Sequence, residues 1–110
     1  MPVIQVARSI AAGGSDSNLV SGSAFEFART RQVVSIGLTQ AATGMFATIQ
    51  AGADIIAEEF EPSILTRFPI IPDDMYYTDV MEVGDRLRIS VRNPTGGAII
   101  ARTLVQISPI

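Results

Sequence analysis

The stretch GDRLRISVRNPTGGAIIARTLVQI, residues 84–107, decides the fold. On both sides of the turn-prone NPTGG, residues 93–97, apolar side chains recur at every second position, the period of a strand with one buried face. If NPTGG is a five-residue hairpin connection, Arg92 faces Ala98 and side chains of equal parity share a face. The odd positions then collect Leu87, Ile89, Val91, Ile99, Ala101, Thr103, Val105 and Ile107, an almost continuous apolar surface that we assign to the core. The even positions hold Arg86, Arg88, Ser90, Arg92 and Arg102, with Ile100 and Leu104 among them.

This register sets Arg88 opposite Arg102, a like-charge pair that costs a few tenths of a kcal/mol or more. An anion is therefore expected beside it, either a phosphate or carboxylates such as Asp73, Asp74, Asp79 and Glu82 from the same chain or a neighbour. Aliphatic residues among guanidinium groups fit a protein interface, where arginine is enriched and lysine depleted, better than a nucleic-acid backbone. The expected interface is thus Arg86, Arg88, Arg92, Ile100, Arg102 and Leu104. The plain alternative is a solvated face with two exposed aliphatic residues.

The rest of the chain also reads as strands. Pro2 to Arg8 carries Val3, Ile4 and Val6, a short first strand or N-terminal arm, and the Gly/Ser-rich segment 11–23 reads as a flexible loop able to carry contacts. In SAFEFART, 23–30, Phe25 and Phe27 share one face. In QVVSIGLT, 32–39, Val34, Ile36 and Leu38 do so, and Gly37 marks a bulge or a close backbone approach. MFATIQ, 45–50, suits a strand, followed by a turn at AGAD and a further strand at IIAEEF, although Asp54 could equally cap a short helix stopped by Pro62. With Pro62, Pro69 and Pro72 nearby, ILTRF can be no more than a short or edge strand, and MYYTDVM offers another β-prone segment.

Composition narrows the functions. A chain of 110 residues is the size of one domain and buries about 65% of the surface its unfolded form exposes, so one core suffices. Charged residues make up only 17%, against roughly 25% for an average soluble domain, which leaves a surface short of charge that a partner could cover. Cysteine, histidine and lysine are absent, which removes disulfides, thiolate metal sites, the commonest general base and the Schiff-base amine. The serines have no histidine to activate them, Glu58, Glu59 and Glu61 lack the facing geometry of a glycosidase pair, and PDDMYYTD lacks the spacing of a calcium loop. AAGGSD and PTGGA lack the phosphate-cradling Gly-x-x-x-x-Gly-Lys pattern. No enzyme, cofactor or metal site is expected. A net charge of −3 argues against a phosphate-backbone binder, and no run of about 18 apolar residues is present. The expectation is a soluble, unprocessed chain with no membrane partner.

The ending MEVGDRLRISVRNPTGGAIIARTLVQI, 81–107, is similar to the closing hairpin of small β-sandwich modules. These include jelly-roll capsid, cement and decoration proteins of bacteriophages and some carbohydrate-binding modules. The phage resemblance implies a non-catalytic virion protein that forms trimers or binds a major capsid lattice. The carbohydrate-module resemblance implies an aromatic platform, which a chain with no tryptophan and two tyrosines is poorly equipped to build. The expected architecture is one all-β antiparallel sandwich over 1–110, jelly-roll-like, with about seven or eight strands. The expected function is that of a self-associating virion component, ahead of a ligand-binding module and, third, a nucleic-acid binder.

Overall fold

The computed structural model describes residues 3–71 and 74–109; Pro2, Pro72 and Asp73, to which expectations were attached, lie outside them. The described residues form nine strands and no helix: β1 Val3–Ile10, β2 Ser15–Asp16, β3 Gln32–Gln40, β4 Phe46–Ala51, β5 Asp54–Phe60, β6 Ser63–Ile64, β7 Tyr76–Met81, β8 Leu87–Arg92 and β9 Ile99–Pro109. Hence no helix among them is long and apolar enough to cross a membrane. The front sheet runs β1-β9-β3, with β7 and the two-residue β6 sharing the far side of β3, and the back sheet runs β2-β8-β4-β5. All pairings are antiparallel except the short β3–β6 contact.

The two sheets close on one core, which explains the parity of the sequence. Val34, Ile36 and Leu38 of β3 and Ile99, Ala101, Thr103 and Val105 of β9 are buried from the front. Ala47, Ile49 and Ala51 of β4 and Leu87, Ile89 and Val91 of β8 meet them from the back. Met45 and Met81, both fully buried, join the same core, where an unbranched side chain fills irregular space well. IIAEEF is a strand and not a helix. Gly52, at φ 59°, takes the first position of the two-residue turn joining β4 to β5, where left-handed backbone favours glycine. Gly37 is a close approach: a Cβ there would lie 2.8 Å from Pro69 Cβ and Cγ.

Four expectations are corrected. First, β8 and β9 do not pair: β8 lies in the back sheet and β9 in the front, so NPTGG carries the chain across the sandwich and forms no hairpin. The turn residues serve either connection, and parity survives because both inner faces point into one core. Second, the first strand expected near the N-terminus is present as β1, but its described residues are no free arm, because β1 pairs with β9 along its whole length from Val3↔Gln106 to Ile10↔Ile99. Third, the loop at 11–23 is folded in. Asn18, Leu19 and Val20 are buried, and Asn18 binds the β8 main chain, donating to Leu87 O at 3.0 Å and accepting from Ile89 N at 3.1 Å.

Fourth, SAFEFART is not a strand with both phenylalanines on one side. Glu26 and Ala28 turn inward while Phe27 is exposed, and the only strand-like pairing is the bridge Phe27↔Arg86. The Glu26 carboxylate decides this, since it accepts from Gly22 N at 2.9 Å and from Arg86 Nε at 2.8 Å.

Parity can be tested directly. Ile89→Ala, which empties a fully buried site, is expected to cost about 2–5 kcal/mol in urea unfolding. Arg88→Ala next to it, with its side chain outward, should stay within about 0.5 kcal/mol. Equal losses would mean that the inner and outer faces of β8 are wrongly assigned.

Candidate interface

Because β8 and β9 belong to different sheets, the six expected interface residues separate. Arg88 and Arg92 lie on the outer face of the back sheet, with Arg86 just before β8, whereas Ile100, Arg102 and Leu104 lie on the outer face of the front sheet. The expected Arg88–Arg102 opposition is therefore corrected: β4 and β2 flank β8, and β1 and β3 flank β9.

On the back the arginines are held within the chain. Arg92 Nε pairs with Glu59 at 2.9 Å while its guanidinium lies 4.8 Å from the centre of the Phe46 ring. Arg88 Nε donates to Ser17 O at 3.0 Å, and Arg86 pairs with Glu26 at 2.8 Å. Between Arg88 and Arg92 runs a polar cleft of about 280 Å3 with Ser15, Ser17, Thr48 and Ser90 on its walls. Of the carboxylates proposed as neutralising partners, the three that are described are engaged elsewhere. Asp74 binds Arg67, Glu82 binds Arg31, and Asp79 accepts the N–H of Val80. A second cleft, of about 320 Å3 and mostly apolar, is lined by Phe25, Phe27, Arg29 and Ile107. The described residues contain no cluster of three or more side chains suited to a metal ion.

The front face has a different character. Its outward positions are Val3, Gln5, Ala7 and Ser9 on β1; Ile100, Arg102, Leu104, Gln106 and Ser108 on β9; Val33, Ser35, Gly37 and Thr39 on β3; and Tyr76, Thr78 and Val80 on β7. Arg102 is the one charged residue among them. A strap from Leu65 to Ile71 crosses part of this face. Pro69 sits on Gly37, Thr39 Oγ1 donates to Arg67 O at 3.2 Å, and Asp74 fastens the strap by receiving both Arg67 Nη1 and Ile70 N at 2.7 Å. Arg102, whose Cα partner is Thr39, has its Nη1 enclosed without a hydrogen-bond partner among the described residues. A buried donor without an acceptor costs about 1–3 kcal/mol, which leaves something to gain when a neighbour rearranges or completes this site.

Of the residues on this face, the sequence reading had named Ile100, Arg102 and Leu104 as interface candidates and had not named Val3, Val33, Val80 or the strap as such. The alternation of Val3, Gln5, Ala7 and Ser9 carried part of that signal. Comparisons of the chain with protein-family models, with curated protein sequences and with solved structures found no match.

Three carboxyls titrate below their ordinary values. Glu26 is lowered chiefly by the N–H of Gly22 and then by Arg86, against the opposing effect of burial. Glu61 is lowered by the Gly44 N–H and the Thr43 hydroxyl, and Asp74 by Arg67 and the Ile70 N–H. In the unfolded chain these groups take up protons at their ordinary values, 4.5 for glutamate and 3.8 for aspartate, whereas the folded chain resists protonation until lower pH. Their contribution is present above those values and is lost as pH falls through the folded ones. The melting temperature should therefore hold from about pH 7 to about pH 5 and fall below pH 4.5, with a shallower fall in Glu26→Gln. An identical acid limb in that variant would remove Glu26 from the account.

Proposed function

We propose that this chain is a non-catalytic structural protein that self-associates through the front face of its sandwich, as a virion component of the capsid, cement or decoration kind. The observation that carries the reading is the contrast between the two outer faces. The back bears Arg88, Arg92, Glu58 and Glu59, whereas among the described residues the outward strand positions of the front carry Arg102 alone, beside the strap's internally paired Arg67 and Asp74, among uncharged, partly aliphatic residues such as Val3, Val33, Val80 and Ile100. Depletion of charge marks the core of protein interfaces. Val3 is 48% exposed and Ile100 38%, so aliphatic surface remains on that face for a neighbouring copy to cover. In support of the virion part, the strand path, β1-β9-β3 with β7 beside β3, over β2-β8-β4-β5, resembles the order of a jelly roll, an architecture used by viral capsid and lectin domains. A trimer, or attachment to a major capsid lattice, follows from the same resemblance.

The test is oligomer mass by light scattering, with melting temperature measured on the same samples. Ile100→Glu should lower the mass at least severalfold in concentration dependence while leaving the melting point within a few degrees, because the residue is outward and exposed. Arg88→Glu, on the back, should leave the mass unchanged. A monomeric parent chain, or an assembly indifferent to Ile100→Glu, would overturn the reading.

A ligand-binding module is the second reading, favoured by the hydroxyl-lined cleft between Arg88 and Arg92. Saturable glycan binding abolished by Arg88→Ala would put it first. The self-association reading expects no such binding.

A further inference from the structure

The four sheet edges are unequal. β2 offers two residues. β5 is interrupted by register shifts against β4, carries Glu59 in left-handed backbone at φ 48°, and bears Asp54, Glu58 and Glu59. On the β7 side, the Val80 N–H is already taken by Asp79 Oδ1 at 2.8 Å, and β6 is only two residues long. Such irregularities and charges are how sheets prevent further strands from adding.

Apart from the charge of Arg8, β1 has none of these features. It stands at the end of the front sheet's order, runs eight residues in unbroken register with β9, and contains no proline and no acid between Val3 and Ile10. At roughly 3.4 Å per residue it presents about 27 Å of regular main chain. Its one charge, Arg8, is drawn to Asp16 at 2.7 Å. Its outward side chains, Val3, Gln5, Ala7 and Ser9, are uncharged.

We propose that β1 adds, antiparallel and edge to edge, to β1 of a second copy about a two-fold axis at Val6, joining the front sheets of two molecules into one. The choice of occupant follows from self-complementarity. A two-fold contact requires every residue to tolerate its own copy's strand, and an axis at Val6 sets Gln5 against Ala7, Val3 against Ser9 and Arg8 against Ile4, so that no like charges meet. An even register also keeps the outward residues of both copies on one surface and their inward residues over the two cores. The proposal rests on the self-association reading for the identity of the partner, and adds to the face contact a second, geometrically separate one.

The natural chain has no cysteine, so each single-cysteine variant carries one thiol. Val3→Cys, Gln5→Cys, Ala7→Cys and Ser9→Cys all alter outward, exposed side chains. Around an axis at Val6, residue 5 faces residue 7 and residue 3 faces residue 9 of the other copy at the strand spacing of roughly 5 Å. By contrast, residue 5 or 7 lies two positions from its own copy, roughly 7 Å along the strand and more than about 8 Å in all, and residue 3 or 9 lies six positions away, roughly 20 Å. A disulfide needs Cα atoms within about 7 Å. Under mild oxidation, none of the four variants alone should cross-link to itself, whereas an equimolar mixture of Gln5→Cys and Ala7→Cys should cross-link as the heterodimer. An equimolar mixture of Val3→Cys and Ser9→Cys should cross-link as the heterodimer, at least fivefold above either homodimer. Homodimers at positions 3 and 9 would indicate a parallel contact, and equal yields at all positions would indicate random collision; either overturns the proposal. An oligomer by light scattering without cross-links would overturn the edge contact and spare the face reading, whereas a monomer without cross-links would overturn both.

Discussion

The sandwich depends on the buried side chain of Asn93. The amide nitrogen donates to Ile10 O at 3.0 Å and to Gly97 O at 2.8 Å, and the amide oxygen accepts from Thr95 N at 3.1 Å and Thr95 Oγ1 at 2.6 Å. The main-chain N–H of the same residue reaches Gly14 O at 2.8 Å. One fully buried asparagine thus joins the end of β1, the approach to β2, the end of β8 and the crossing to β9. A buried amide with every partner in place gives specificity, whereas one left unpaired is costly, so this junction admits few alternative paths. Gln40 plays the matching part elsewhere: it donates to Pro62 O at 2.7 Å and accepts from Met45 N at 2.9 Å, tying the end of β3 to the entry of β4 and the exit of β5.

That junction also shows why the sequence was legible up to a point. Alternation located β3, β8 and β9, because burial on one face of a strand leaves a period-two record regardless of which strand lies alongside, while β-prone residues between turn signals pointed to β1, β4 and β7 and left β5 open between strand and helix. Alternation also marked the inner residues of β3, β8 and β9, and of the two meanings Gly37 left open, a bulge or a close approach, the structure shows the close approach. Pairing partners left no local record. Whether NPTGG turns within a sheet or crosses between sheets is settled by a bond from Asn93 to a residue 83 positions away. The twist that exposes Phe27 is likewise settled by Arg86, 60 positions beyond Glu26. The identities of the outward arginines and aliphatic residues were therefore readable, but their grouping was not.

With that grouping in hand, the arginines act mainly as ties between distant parts of the chain. Arg8, Arg31, Arg67, Arg86 and Arg92 each meet a carboxylate. Exposed pairs of this sort contribute little to stability, about 0–1 kcal/mol each, but their forked geometry fixes which loop lies where. Arg102 differs in having an enclosed nitrogen with no acceptor among the described residues.

The pairing of β1 with β9 has a consequence for synthesis. On the ribosome, at about 5–20 residues per second, β1 emerges well before the strand it must join, and among the described residues only β9 offers it a ladder. Contacts this distant in sequence close slowly, since the chain between them must first be ordered. Until β9 emerges, both edges of β1 are open to other nascent chains, and on the same polysome the neighbours are copies of itself.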